Sequence, residues 1–224
     1  MQLPNPHCDT LRAGSNVSRC VYMTQRVLEL RHIDVFCERG AILFHDLLPS
    51  SKVQECRNIL NTCTSLRNTW QSSQVLKKLC LNHEFAFIAA QLCRLKSLRF
   101  GCDHYYPSFD ALTTFFARGA LNNLISIDGL EVGLLLNLSN VIITPVESSS
   151  SIPLLSGSGN FFATHTPLDL SIEHAEGPFL LMTYCQPGSR YLHKFSDPFT
   201  HDVKKEDRAF GDRLSNTHHP LVHY

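Results

Sequence analysis

The sequence predicts an α+β protein, with helices in its first half and a β-core of the sandwich or jelly-roll kind in its second. Two observations predict it. Up to Gly119, apolar residues recur at helical spacing behind capping residues. Beyond Gly119, short apolar runs are separated by turn-forming pieces such as Gly157-Ser158-Gly159, Gly177-Pro178 and Pro187-Gly188. A chain of 224 residues supports one well-buried core and is short for two. Residues 1–22 are polar, lack periodicity and read as a disordered tail. Residues 23–224 read as one domain, with a helical cover over about 23–119 and a β-core over about 120–224.

Met23, Val27, Leu30 and Ile33 fall at helical spacing, and Gly40 is placed to end that helix. Ala41 to Phe44 suits a strand. Pro49-Ser50-Ser51 opens a second helix with a Ser51/Gln54 capping box and a shared face of Val53, Cys56 and Leu60. A third helix begins at the Asn82 cap. Glu84 suits the positive end of its dipole, and Phe85, Ile88, Ala89, Leu92 and Cys93 form its stripe. Leu98-Arg99-Phe100 reads as a strand, and Pro107-Ser108 opens a short helix carrying Leu112, Phe115 and Phe116. The strands expected after Gly119 are Leu124–Ile127, Leu130–Leu138, Val141–Ile143, Asn160–Thr164 and Phe179–Tyr184. They should make two facing sheets, with Leu134, Leu136, Phe161, Leu181 and Tyr184 pointing between them. The third helix should lie on one sheet through Phe85, Ile88 and Leu92.

Composition excludes several function classes. Lys plus Arg equals Asp plus Glu at 20 each, so there is no net field to draw the chain to nucleic acid or to an anionic membrane. The greasiest stretch, Leu130 to Ile143, contains Glu131, Asn137 and Asn140 and is too short to span a bilayer. Met1 to Arg12 has no apolar core of a signal peptide. Nine cysteines, an odd number without Cys-x-x-Cys spacing, fit neither a zinc ribbon nor a thioredoxin motif. The expectation is a cytoplasmic protein with reduced thiols.

Three segments carry a resemblance. Gly40-Ala41-Ile42-Leu43-Phe44-His45-Asp46-Leu47-Leu48-Pro49 and the helix after it resemble the N-terminal strand and helix of phytanoyl-CoA hydroxylase-like Fe(II)/2-oxoglutarate oxygenases. Leu98-Arg99-Phe100-Gly101 resembles their first barrel strand, and Gly157-Ser158-Gly159-Asn160-Phe161-Phe162 the approach to their distal metal-ligand strand. The resemblance covers roughly residues 25 to 215 and extends to chlamydial-type proteins of this fold. It implies a double-stranded β-helix (jelly-roll) core covered by N-terminal helices.

The chemistry such a resemblance implies is a facial triad, His-x-Asp/Glu plus a distal His, leaving open positions on Fe(II), with an Arg gripping the far carboxylate of 2-oxoglutarate. His-x-Asp occurs here at His7/Asp9 and His32/Asp34, both ahead of the first barrel strand, and not after Leu98. The distal His position falls near Leu168 or Asp169, and the Arg position at Gly177-Pro178-Phe179. No catalytic or cofactor-binding residue is therefore assigned. The metal-ligand candidates are Asp103, His104 and His165. His32 and Asp34 read as helix-surface groups, and His165 as a strand-end histidine satisfying a carbonyl. Asp103-His104, beside Tyr105 and Tyr106, reads equally as the lining of a barrel mouth or as a plain loop. The C-terminal histidines His174, His193, His201, His218, His219 and His223 read as solvated loop residues. No nucleophile elbow or phosphate-binding glycine loop occurs.

Two functions follow. The first is a non-catalytic descendant of the oxygenase fold that binds a small molecule or a protein and needs no cofactor. The second is an Fe(II)/2-oxoglutarate dioxygenase with an atypical ligand set.

Overall fold

The computed structural model describes residues 28–139, 152–153, 155–168, 170 and 177–223. The tail and the expected strand Val141–Ile143 lie outside them. Six helices and six strands follow in the order α1 (Leu30–Arg39), β1 (Ala41–Phe44), α2 (Ser50–Leu60), α3 (Gln74–Cys80), α4 (His83–Leu92), β2 (Leu98–Tyr106), α5 (Phe109–Phe116), α6 (Leu121–Leu124), β3 (Leu130–Asn137), β4 (Gly159–Ala163), β5 (Phe179–Cys185) and β6 (Leu221–His223). Short 3-10 turns stand at Thr69–Gln71 and Asp202–Glu206. None of these helices is long and apolar enough to cross a membrane.

The strands form one antiparallel sheet in the order β1-β4-β3-β5-β2-β6. β2, β4 and β5 are buried along their whole length, and β3 at every position but one. They are apolar runs without alternation because the sheet is covered on both faces. On one face Phe100, Val132, Leu134, Leu136, Phe161, Met182 and Tyr184 pack with α1 to α4. On the other, Cys102, Tyr106, Leu135, Phe162, Phe179 and Leu181 pack with α5, α6, Tyr191, Val203 and Leu214.

The expectation of two facing sheets is corrected here among the described residues. The second face is covered by two helices and a long C-terminal segment, not by a regular sheet. Residues 124–127 do not form a strand. Leu124 closes α6, and Ile127 makes an isolated bridge to Tyr191, with Arg190–Arg213 beyond it. Backbone bonds from Asp128 to Arg190, Leu192 to Ser126 and Tyr191 to Asp212 continue this narrow ribbon. Leu181 points to this second face, while Leu134, Leu136, Phe161 and Tyr184 point to the helices.

Local signals were reliable where a cap and a stripe agreed. Asn82 Oδ1 accepts from Glu84 N, Ser108 Oγ accepts from Ala111 N, and Gly40 takes the left-handed conformation that ends α1. Phe85, Ile88 and Leu92 of α4 are buried in the helix-side core as expected. Three details differ. The N-cap of α2 is Pro49, without a side-chain cap, and Gln54 bonds Asn58 instead. In α1 the expected apolar face is rotated: Leu30 is 79% exposed, while Phe36 and His32 are buried. His32 is thus no surface group, since its Nδ1 accepts from Glu29 N. Asp34 does stay exposed, 3.7 Å from Arg94.

Gly133 of β3 lies opposite Phe162 of β4. A Cβ there would stand 2.7 Å from Cε1 of the Phe162 ring. Gly133→Ala should therefore overpack the second face and lower stability by about 1–3 kcal/mol in urea unfolding. Adding Phe162→Leu should recover part of that loss. Additive losses would show that the ring does not set the limit.

Candidate functional site

Two of the sequence-derived candidates, Asp103 and His104, sit on β2, a strand of nine residues where only 98–100 were expected. Asp103 and His104 are therefore mid-strand, neither loop nor barrel mouth. Asp103 pairs with Met182 and His104 with Leu181, so the two side chains leave opposite faces of the sheet. They cannot hold one ion together.

Asp103 is fully buried on the helix side. Its Oδ2 accepts from Thr69 N at 2.8 Å and from Thr69 Oγ1, and its Oδ1 accepts from Trp70 N at 3.2 Å. It anchors the 3-10 turn at 69–71. Burial raises its carboxyl to about 6 despite these donors. His104 is on the second face, with its ring stacked on Tyr106 at 4.5 Å and against the edges of Phe115 at 5.2 Å and Phe199 at 5.1 Å. Burial, aided by the charge of Arg67, lowers it to about 3, so it is neutral. His165 lies exposed in the turn after β4. Among the described residues no three His, Cys, Asp or Glu side chains are grouped to hold a metal ion.

What the second face does hold is a charged pair the sequence did not signal. The segment before β2 pairs with its free edge: Tyr105 N donates to Leu66 O and Asn68 N to Asp103 O. From that segment Arg67 Nη1 donates to Asp197 Oδ1 at 2.7 Å, with side-chain exposures of 8% and 0%. Its other Nη lies 3.5 Å from Cys102 Sγ, and its guanidinium is over the Phe199 ring. Asp197 also accepts from Ser126 N at 2.6 Å and Phe199 N at 2.9 Å. Burial alone would raise this carboxyl, but Arg67 and the two amides outweigh it and hold it below the usual range. Beside the pair, Ser126 Oγ donates to Thr200 Oγ1. A second network joins Glu206, Tyr191, His219 and the Gly101 carbonyl.

The cavity between these networks measures about 30 Å³ and is lined by Arg67, Cys102, Ser126, Tyr191, Phe199 and His219. That is room for two or three waters, at about 10–15 Å³ each on this measure. It does not admit a dicarboxylate. At the positions where the resemblance implies a distal His and an Arg, Leu168 packs against the second core and Phe179 is buried within it; Asp169 lies outside the described residues. Among the described residues, the donor set of the second face therefore does not fit Fe(II) with 2-oxoglutarate. Both Asp197 oxygens are taken and Arg67 is paired with that carboxylate, while the buried Arg99 is held by Asn216 Oδ1 and the Pro187 and His219 carbonyls.

The C-terminal histidines do not form one cluster. His193 and His201 face each other at 5.6 Å between ring centroids. His218 and His219 approach Glu206, and His223 packs against His83 and Phe87. His174 lies outside the described residues.

No family model and no curated protein matches the chain. Solved structures do. The chain is similar to CT296 from Chlamydia trachomatis, with 19% identity and a TM-score of 0.52 over 71% of this chain and 96% of that one. It is similar to the non-heme α-ketoglutarate-dependent carbocyclase SnoK of nogalamycin biosynthesis, with 14% identity and a TM-score of 0.63 over 87% and 96% of the two chains. The corresponding values for the epimerase SnoN of that biosynthesis are 13%, 0.62, 87% and 98%. At such identities the likeness is one of fold, and the chain has the 2-oxoglutarate-oxygenase-like fold.

Two outcomes follow from this geometry. Arg67→Met should cost about 3–5 kcal/mol in urea unfolding, because it leaves the Asp197 carboxylate buried without its cation. Adding Asp197→Asn, which removes that charge, should make the double variant more stable than Arg67→Met alone. The neutral His104 gives the second. The unfolded chain takes up a proton near pH 6.5 while the folded chain resists to about 3, so this contribution is full above 6.5 and is lost as pH falls between the two. Asp103 works in the opposite sense, its raised carboxyl removing stability as pH rises from about 4 to 6. The comparison is therefore with His104→Phe. Between about pH 7 and 5 the parent should lose ~2 kcal/mol more than the variant, at 1.36 kcal/mol per unit. Equal losses would mean His104 is protonated in the fold.

Proposed function

We propose that the protein is a non-catalytic binding or regulatory module on a double-stranded β-helix of the phytanoyl-CoA hydroxylase-like type. Its partner is a small molecule or a protein, met in the cytoplasm. The observation that carries this reading is the Arg67–Asp197 pair, which with the His104–Tyr106–Phe115–Phe199 aromatic packing fills the space beside the sheet's second face. An oxygenase needs at that place an open coordination sphere and an unpaired cation. Here the cation is satisfied by the carboxylate, and separating them to admit a ligand would expose two charges to a buried, low-dielectric setting. Seven cysteines without a disulfide, Cys37, Cys56, Cys63, Cys80, Cys93, Cys102 and Cys185, support a reducing compartment.

The alternative, an active dioxygenase using Asp103, His104 and His165, has no support in the geometry: the first two face opposite sides of the sheet and the third is in an exposed turn. Anaerobic calorimetry with Mn(II), with and without 2-oxoglutarate, distinguishes the readings. The expected result is no heat of 2-oxoglutarate binding that depends on metal. Micromolar, metal-dependent binding would overturn the non-catalytic reading.

A further inference from the structure

The structure assigns a metal site away from the sheet: we propose that His193 and His201 bind a Zn(II)-class ion through their two imidazoles. Both side chains are exposed, and their ring centroids lie 5.6 Å apart with planes inclined by 50°. With metal–nitrogen bonds of about 2 Å and tetrahedral angles, two imidazoles on one zinc have centroids ~5 Å apart. The observed separation is close to that value.

The loop between the two residues is already closed. Lys194 N donates to Thr200 Oγ1 at 3.2 Å, Asp197 N to Lys194 O at 3.1 Å and Thr200 N to Asp197 O at 3.1 Å. Residues 194 and 200 are thus tied directly inside the pair 193 and 201. The loop's centre is pinned by the buried Asp197 carboxylate. Little chain entropy remains to be lost when the imidazoles converge on an ion. Aromatic rings orient them as well. Phe210 lies 5.1 Å from the His193 ring and 6.2 Å from the His201 ring, and Phe195 stands edge-on to His193 at 4.6 Å.

The donor type sets the ion class. Two imidazoles without a thiolate or carboxylate favour Zn(II), Ni(II) or Cu(II) over Mg(II) or Ca(II). Water completes the coordination, so the site is labile and accessible to a donor from a partner. It does not depend on how the sheet's second face is read, and 2-oxoglutarate plays no part in it.

The test is a calorimetric titration of the full chain with Zn(II) alone, under a phosphine reductant at neutral pH. The parent should show a 1:1 event that weakens about tenfold or more in His193→Ala and in His201→Ala. It should survive in His201→Cys, where a thiolate replaces one imidazole, and in His218→Ala, which alters the separate Glu206 cluster. Because both histidines are exposed, the alanine variants should melt with the parent. Undiminished binding in His193→Ala, or loss in His218→Ala instead, would overturn the assignment.

Discussion

Arg67 reaches across 130 positions of sequence to Asp197, and three otherwise separate parts of the chain meet where they touch. The segment that pairs with the edge of β2 supplies the guanidinium. The C-terminal cover supplies the carboxylate, and the turn between α6 and β3 supplies the Ser126 amide. Charges this deeply buried are costly to desolvate, and the pair is tolerated because both carboxylate oxygens have directed donors, Arg67 and Phe199 N on Oδ1 and Ser126 N on Oδ2. The same requirement fixes the loop at 193–201 in one conformation. The cover consists mostly of irregular chain, and this contact holds it against the sheet where a regular second sheet would use a hydrogen-bonded ladder.

The sheet imposes a second constraint. A strand buried on both faces has to find partners for most of its polar groups. On β2 the Tyr106 hydroxyl is buried without a hydrogen-bond partner among the described residues, and the others are accommodated individually. Asp103 caps a 3-10 turn on one side, and His104 stays neutral within an aromatic stack on the other. Thr183 donates to the Cys102 carbonyl and accepts from the Cys102 amide. The exposed edge of β2 is closed in halves, by β6 at one end and by residues 66–68 at the other. An edge so covered offers no template for pairing with another chain.

A shared fold does not carry a shared reaction, because the reaction depends on a few side chains placed on it. SnoK and SnoN have this fold, as the chain does, and on the second face of the chain's sheet Arg67 and Asp197 are paired with each other. On the outer side of the cover, His193 and His201 have solvent rather than the core as their neighbour.

The sequence by itself determined the order of helices before strands, the α4 stripe from Phe85 to Leu92, the Asn82 and Ser108 caps and the Gly40 stop. Each of these is a local matter of periodicity or of one hydrogen bond within a few residues. It also marked as strands the apolar runs that form β3, β4 and β5. Which face each side chain joins was not legible, as Leu181 shows, because an unbroken apolar run carries no phase. Nor was the length of β2, where Asp103 and His104 look like loop residues until their partners Thr69, Trp70 and Tyr106 are in place. The Arg67–Asp197 pair and the approach of His193 to His201 were decided only by the tertiary structure. The first joins residues far apart in the chain, and the second depends on a loop whose closure is set by that buried pair.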